Sequence, residues 1–99
     1  MLSEQKAVIK QGHYEEIKMA NQFETIRNRG EGFIVITDTA NPNKIHNPDC
    51  RCVTRSNFEE KVIVNRCKNG HYYWTDSIEL SAKRFNASQC SQCKPWTRI

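Results

Sequence analysis

Four residues with soft side chains form two closely spaced pairs, and this spacing is typical of a metal site. His46 and Cys50 are separated by three residues, and Cys90 and Cys93 by two. A pair this close can place both side chains on one ion, and two such pairs complete the tetrahedron of nitrogen and sulfur ligands found in closed zinc sites. We therefore predict that these four residues bind one structural Zn²⁺, which connects two segments separated by 39 residues.

Two other cysteines bear on this ligand set. Cys52 offers an alternative, since a Cys50-x-Cys52 pair would chelate the ion in place of His46 and leave a four-cysteine site. We favour His46, because Cys52 would point to the opposite side of an extended segment. Cys67 is expected in the hydrophobic core, where free cysteine is often found.

Composition and length exclude several other classes of protein. A chain of 99 residues is sufficient for one domain with a limited core, which a bound metal would help to stabilise. Five cysteines are an odd number and argue against a fully paired disulfide framework. The N-terminus lacks the apolar run of a signal peptide, and no stretch is long enough to span a bilayer. We therefore expect a cytoplasmic protein with reduced thiols and no membrane association.

The first half of the chain predicts helix followed by strand. Apolar residues recur at helical spacing between Ser3 and Asn28, and Gly12 interrupts them, so one bent helix or two helices are expected. The β-branched run Phe33–Thr37 predicts a buried strand. That strand leads toward His46, the first residue of the ligand set.

The second half predicts a hairpin and a short helix. Lys61–Cys67 and His71–Thr75 read as two strands joined by a turn, and Phe58–Glu60 as a short loop before them. Ile78–Phe85 reads as a helix capped by Asp76 or Ser77. The expected fold is therefore α+β, a single domain of residues 1–99 in which a helical extension, 1–30, precedes a zinc module, 31–99.

The positive charge of the chain is unevenly placed. Residues 1–45 carry six Lys/Arg and six Asp/Glu, whereas residues 46–99 carry nine and five, which accounts for the net charge of +4. Zinc with three thiolates adds a charge of −1, so the metal-binding half stays basic. Such a surface attracts polyanions.

Nucleic acid is therefore the partner that the charge pattern favours. Candidate phosphate contacts are the cations that flank the ligand pairs, the turn and the helix, and aromatic side chains offer stacking surfaces for unpaired bases. The cations are Arg51, Arg55, Arg66, Lys68, Lys83, Arg84 and Lys94. The rings are Tyr72, Tyr73, Trp74 and Trp96.

The ligand pattern resembles the metal-binding domain of the Ada family of DNA-repair proteins and the small Ada-like zinc modules found beside nucleases. The resemblance is carried by Ile45–Cys50 and by Cys90–Pro95, and it covers about residues 33 to 96. The shared pattern is a ligand, three residues and a cysteine, then a hairpin, a short helix, and C-x2-C followed by a basic residue and proline. It implies DNA contact, with the targeting of an attached nuclease or other DNA-acting enzyme as one form of it.

One difference from that family argues against methyl transfer by this chain. The first ligand in the Ada family is a cysteine whose thiolate accepts a methyl group from a DNA phosphotriester, and the matching residue here is His46. Imidazole held on zinc lacks the anionic thiolate for that attack. The deaminase pattern also fails, because the residue two positions after His46 is Pro48 rather than glutamate. We therefore expect a binding module rather than an enzyme.

The alternative function is a structural or protein-interaction zinc module. The neutral, amphipathic segment 1–30 could contact a partner domain or a second copy of the chain. DNA-free dimerisation that is lost with this segment would distinguish the alternative from nucleic-acid binding.

Overall fold

Five short strands form one sheet within residues 12–95, the part of the chain that this computed structural model describes. In chain order they are β1 (Tyr14–Ile17), β2 (Phe33–Ile36), β3 (Lys44–His46), β4 (Tyr72–Thr75) and β5 (Ser88–Gln89). Their order across the sheet is β1-β4-β2-β3-β5. All neighbouring strands are antiparallel except β3 and β5, which are parallel.

Helices connect these strands, so the fold is mixed α+β as predicted. The α-helices are α1 (Ala20–Arg29), α2 (Arg55–Phe58) and α3 (Ile78–Phe85), and a π-helix (Glu59–Val64) directly continues α2. Between residues 12 and 95, no helix has the length and apolar character needed to cross a membrane.

Both faces of the sheet are covered, which explains why β2 is apolar at every position. Ile34 faces a core that includes Phe23 of α1, Phe58 of α2 and Tyr72 of β4. The Phe23 and Phe58 rings stack with centroids 4.7 Å apart. Val35 faces the opposite side, in a smaller cluster beneath α3. A strand buried on both faces lacks the polar–apolar alternation of a half-exposed strand.

The elements with strong local signals form where the sequence predicts them. β2 lies within the predicted strand Phe33–Thr37, and α3 has the predicted bounds. The side chain of Ser77 accepts a hydrogen bond from the Leu80 N–H at 2.9 Å, as an N-cap residue does. Asn86 adopts a left-handed conformation, φ 51°, and ends the helix.

The predicted N-terminal helix is wrong for residues 14–17, and among the described residues only its last part coincides with a helix, α1. Tyr14–Ile17 pairs with β4 instead, although its apolar residues have helical spacing. Strand pairing and burial of Ile17 outweigh the weak local preference for helix. Because β1 joins the sheet and α1 buries Phe23 and Ile26, residues 14–29 belong to the same core as the rest of the chain. The predicted helix before Gly12 lies outside the described residues.

The predicted hairpin between Lys61 and Thr75 is also wrong. Its second half forms β4, but its first half lies mainly in the π-helix, where only Val62 is buried. The side chain of Thr54 caps α2 by accepting the Asn57 N–H, and the helical chain then continues past Phe58. The β-branched residues that suggested a strand are therefore largely exposed, with Ile63 at 47% and Val64 at 66%.

A salt bridge holds the π-helix against the end of β2. The ammonium of Lys61 donates to Asp38 Oδ2 at 2.8 Å and to the Thr37 carbonyl oxygen at 2.9 Å. This hydrogen bond from Lys61, with others from the backbone N–H groups of Ala40 and Asn41, holds the pKa of Asp38 well below its usual range. The π-helix is therefore fixed by polar contacts at a point where it buries little apolar surface.

Gly70 places the start of β4 directly against β2, and we predict that this position accepts no side chain. A Cβ at Gly70 would fall on the Thr37 carbonyl oxygen, and the backbone φ is +147°. Gly70→Ala should therefore lower the free energy of unfolding by about 1–3 kcal/mol from overpacking, and further from backbone strain. Gly30→Ala is the matched control, because its Cβ would meet open space at φ +72° and cost only about 1–2 kcal/mol. Urea unfolding measures both, and equal losses would contradict the prediction.

Candidate metal centre

The parallel pairing of β3 with β5 brings the two predicted ligand pairs together. Ile45 lies opposite Gln89, and the Cys90 N–H donates to the Ile45 carbonyl oxygen at 2.8 Å. His46 and Cys90 are the next residues along these two strands, and both are buried. Ligands separated by more than 40 positions in sequence thus meet at one end of the sheet.

Two consecutive turns then return the chain toward His46. The Cys50 N–H donates to the Asn47 carbonyl oxygen at 3.0 Å, and the Val53 N–H donates to the Cys50 carbonyl oxygen at 2.8 Å. The Sγ atoms of Cys50 and Cys90 lie 3.9 Å apart. One ligand atom from each of His46, Cys50, Cys52 and Cys90 lies within 4.8 Å of all the others. This group is close enough to hold a metal ion.

The position of Cys52 differs from the one predicted. An extended segment would direct Cys52 away from Cys50, but Arg51 and Cys52 form a turn, so both thiols reach the same space. The site therefore contains five candidate ligands rather than four, and Cys52 lies beside His46 rather than replacing it.

Cys93 lies at the edge of this group and contacts both ligand turns. Its Sγ accepts the backbone N–H of Asn47 at 3.2 Å, and its carbonyl oxygen accepts the Asn47 side-chain amide at 3.3 Å. The Lys94 N–H donates to the Cys90 carbonyl oxygen at 2.9 Å, which tightens the C-x2-C turn. The Cys93 thiol also interacts with the thiols of Cys50 and Cys90. Cys93 therefore lies next to the group, but the four residues whose ligand atoms all lie within 4.8 Å of one another include Cys52 and not Cys93.

Backbone amides distinguish the sulfur atoms from one another. The Sγ of Cys50 accepts the Cys52 N–H at 3.4 Å, and the Sγ of Cys90 accepts the Gln92 N–H at 3.2 Å. Burial raises the pKa of Cys90, but N–H groups of Cys93 and Gln92 outweigh it, so the pKa is lowered. For Cys52, burial and the neighbouring thiols of Cys50 and Cys90 all raise the pKa, to about 11. Amide donors favour a thiolate at Cys50, Cys90 and Cys93. Only at Cys90 do they outweigh the other effects, because burial raises the pKa of Cys50 to about 11 and also raises that of Cys93.

His46 is buried in a neutral form and has an unpaired nitrogen. The residue is 5% exposed, and its Nδ1 has no hydrogen-bond partner within residues 12–95. Burial, together with the charge of Lys44, lowers the pKa of His46 to about 4. Neutral imidazole is the form that binds metals. An unsatisfied buried nitrogen costs about 1–3 kcal/mol, and a coordinated ion would remove that cost.

The cations predicted to contact phosphate are exposed but have different surroundings. Arg51 donates to the side-chain oxygen of Gln92 at 2.6 Å and so links the two ligand turns. Arg55 is paired with Glu24 and Glu59, which offset its charge. Arg84 donates to the Tyr14 hydroxyl at 2.9 Å. The other predicted cations, Arg66, Lys68, Lys83 and Lys94, are exposed at the surface.

The aromatic predictions are only partly consistent with the structure. Tyr72 is 2% exposed in the main core, so its prediction as a stacking surface is wrong: its side chain faces the rings of Phe23 and Phe58. Trp74 is half-buried, and the Arg29 guanidinium lies 5.1 Å from its ring centroid. Trp96 lies outside the described residues.

Sequence reasoning missed two residues that shape this site. Arg27 donates to the Pro48 carbonyl oxygen at 3.2 Å and so ties α1 to the first ligand turn. Asn47 connects that turn to Cys93 through its backbone and its side chain. The Asn-Pro pair indicated a turn, but no local signal connects Arg27 with a turn 21 residues away.

No protein-family model, curated protein or solved structure matches the chain. Its function therefore has to be inferred from the residues of the site.

The five candidate ligands can be separated by substitution, and we expect Cys93 rather than Cys52 to complete the set. Cys93→Ser should weaken Co²⁺ binding at least about 100-fold, since loss of even an outer hydrogen-bond partner of a ligand costs about 10–100-fold. Cys52→Ser, the matched control, should leave affinity within a few-fold of the unsubstituted chain. The charge-transfer absorbance of cobalt thiolates reports both. The opposite ranking would place Cys52 in the coordination sphere.

Proposed function

We propose that this chain is a zinc-stabilised module that binds DNA through its basic surface. The observation that carries the proposal is the buried group of imidazole and thiols at the end of β3 and β5. It contains an imidazole nitrogen without a hydrogen-bond partner among the described residues and three neighbouring thiols, a combination that packing of a hydrophobic core does not require. The proposed ligands are His46, Cys50, Cys90 and Cys93.

The donor set favours zinc and a structural role for it. Three thiolates and one neutral imidazole suit a tetrahedral, redox-inactive ion of intermediate softness. Four protein ligands leave no position for water or substrate, so the ion would hold segments together rather than act on a substrate. Cys50 and Cys90 also belong to the main hydrophobic core, so metal binding and core packing would stabilise the same region.

The first test of the proposal is removal of the metal. Binding free energies of about 10–16 kcal/mol for structural zinc exceed the stability of a small domain, so a strong chelator should abolish cooperative unfolding. His46→Ala should purify with less zinc and melt at a lower temperature. His13→Ala is the matched control, because His13 lies outside the ligand group. Metal analysis and thermal unfolding measure these effects, and full stability of the chelated protein would refute a structural zinc.

The proposed DNA contact is supported by charge and by the surroundings of the site. The net charge of the chain is +4, and Arg51, which connects the two ligand turns, is exposed. Arg27 contacts the first ligand turn, where it donates to the Pro48 carbonyl oxygen. The resemblance of the ligand spacing to Ada-like modules adds an analogy, and His46 in place of a reactive cysteine favours binding without methyl transfer.

Salt dependence tests the DNA contact. If exposed cations neutralise phosphates, affinity for duplex DNA should fall linearly on a log–log plot against salt, with a slope of about 0.9 per phosphate contacted. Arg51→Gln should reduce that slope by about 1. Arg55→Gln is the matched control, because Glu24 and Glu59 already offset its charge. Fluorescence anisotropy at several salt concentrations measures the slopes, and absence of binding at low salt would contradict the proposal.

A protein-interaction role is the second candidate, and an exposed apolar pair favours it. Ile63 and Val64 lie at the end of the π-helix, where they project into solvent. If the chain does not bind DNA at low salt and sediments as a dimer, the protein-interaction role would be supported instead.

A further inference from the structure

A second group of metal-binding side chains lies apart from the first. One ligand atom from each of Glu16, Cys67 and His71 lies within 4.8 Å of the other two. These residues come from β1, from the loop after the π-helix and from the residue just before β4, so only the folded chain brings them together. All three are half-buried, beside a cavity of about 400 Å³.

The backbone holds His71 firmly in this group. Its N–H donates to Thr37 Oγ1 at 2.8 Å, and its carbonyl oxygen accepts the Thr37 N–H at 2.9 Å. Its ring nitrogen Nδ1 lies 2.7 Å from Glu16 Oε2. Glu16 is placed by the pairing of β1 with β4, where it lies opposite Tyr73. The carboxylate and the imidazole therefore meet through the sheet itself.

The third member, Cys67, lies in a loop whose backbone has an uncommon, left-handed conformation. Arg66 and Cys67 are consecutive non-glycine residues in the left-handed region, with φ of 54° and 61°. Side chains rarely adopt this conformation, and such residues concentrate at functional sites. The Cys67 N–H donates to the Lys61 carbonyl oxygen at 3.0 Å, which anchors the loop to the π-helix. The Cys67 side chain packs against the edge of the main core, in partial agreement with the predicted core position, and its thiol also lies close to Glu16 and His71.

We propose that Glu16, Cys67 and His71 form a second binding site for a zinc-like divalent cation. A thiolate, an imidazole and a carboxylate are the three ligand types that zinc accepts in proteins. A carboxylate and a thiolate together neutralise a divalent charge, while the imidazole stays neutral. Three protein ligands leave one coordination position open, unlike the closed set proposed for the first site.

The surroundings suit a cation with one exchangeable ligand. The side chain of His71 is 41% exposed and that of Glu16 is 27% exposed, so water or a small anion can reach the open position. Lys18 and Arg66 line the same cavity and would attract an anionic fourth ligand. The Lys18 ammonium lies 3.9 Å from Glu16 Oε1, but its side chain is 68% exposed and can move into solvent when a cation binds.

Cadmium NMR tests this site separately from the first, because the ¹¹³Cd shift moves downfield with each thiolate ligand. The full chain with excess ¹¹³Cd²⁺ should show two resonances, one from a thiolate-rich site and one, further upfield, from a site with a single thiolate. Cys67→Ser and His71→Ala should each remove only the upfield resonance. His71→Ala should weaken zinc binding at the second site at least about 100-fold, because loss of even an outer hydrogen-bond partner of a ligand costs about 10–100-fold.

Two controls keep the result interpretable. Glu15→Gln changes the neighbouring carboxylate of β1, and His13→Ala changes a histidine outside both groups; both variants should retain two resonances. Persistence of the downfield resonance in the Cys67 and His71 variants shows that they still fold. A chain that shows only the downfield resonance, or an upfield resonance that persists in Cys67→Ser, would overturn the second site. Loss of the downfield resonance alone would instead contradict the metal centre proposed above.

Discussion

The short parallel contact between β3 and β5 is the constraint on which the candidate metal centre depends. β5 has two residues and pairs at one edge of the sheet only, so this contact alone contributes little stability. Yet it sets the position of Cys90 beside His46, through the bond from the Cys90 N–H to Ile45. An ion shared by the two turns would close a loop of about 40 residues. Chain-entropy estimates for a covalent cross-link of that length give about 4 kcal/mol, which is large for a domain of this size.

The protonation states of Cys50 and His46 explain how these side chains can be buried without a metal ion and can still bind one. Burial, together with neighbouring thiols, raises the pKa of Cys50 to about 11, so at neutral pH without an ion its thiol is protonated. Burial keeps His46 neutral under the same conditions. Without metal, His46 and the Cys50 thiol are thus uncharged, and Cys50 can pack in the core with Val53 and Phe58. Metal binding would release the thiol protons, and the N–H donors already aimed at the sulfur atoms would stabilise the resulting thiolates.

Local signals predicted only the features that neighbouring residues determine. β2 and α3 with its Ser77 cap depend on residues a few positions apart, and the structure places them as expected. Of the predicted ligands, His46, Cys50 and Cys90 form one close group, which Cys52 joins and Cys93 borders. β1 was misread because Tyr14–Ile17 has helical spacing but pairs with a strand more than 50 residues away. The π-helix was misread because its β-branched residues resemble a strand, although a cap on α2 and the Lys61–Asp38 bridge hold it helical. The group of Glu16, Cys67 and His71 follows from that same distant pairing, so no sequence motif indicates it.

The burial of Tyr72 limits the kind of nucleic-acid contact that the proposed function can include. β4 was expected to present a row of aromatic rings to solvent. Instead, Tyr72 is buried in the core and Tyr73 packs against Phe85 of α3. Trp74 retains a partly accessible ring, but Arg29 lies over it and its Nε1 donates to the Glu31 carbonyl oxygen. Little aromatic surface is left for unpaired bases among the described residues, whereas the exposed cations remain. Contacts of this kind reach phosphates rather than base edges, so binding would depend strongly on salt and weakly on sequence.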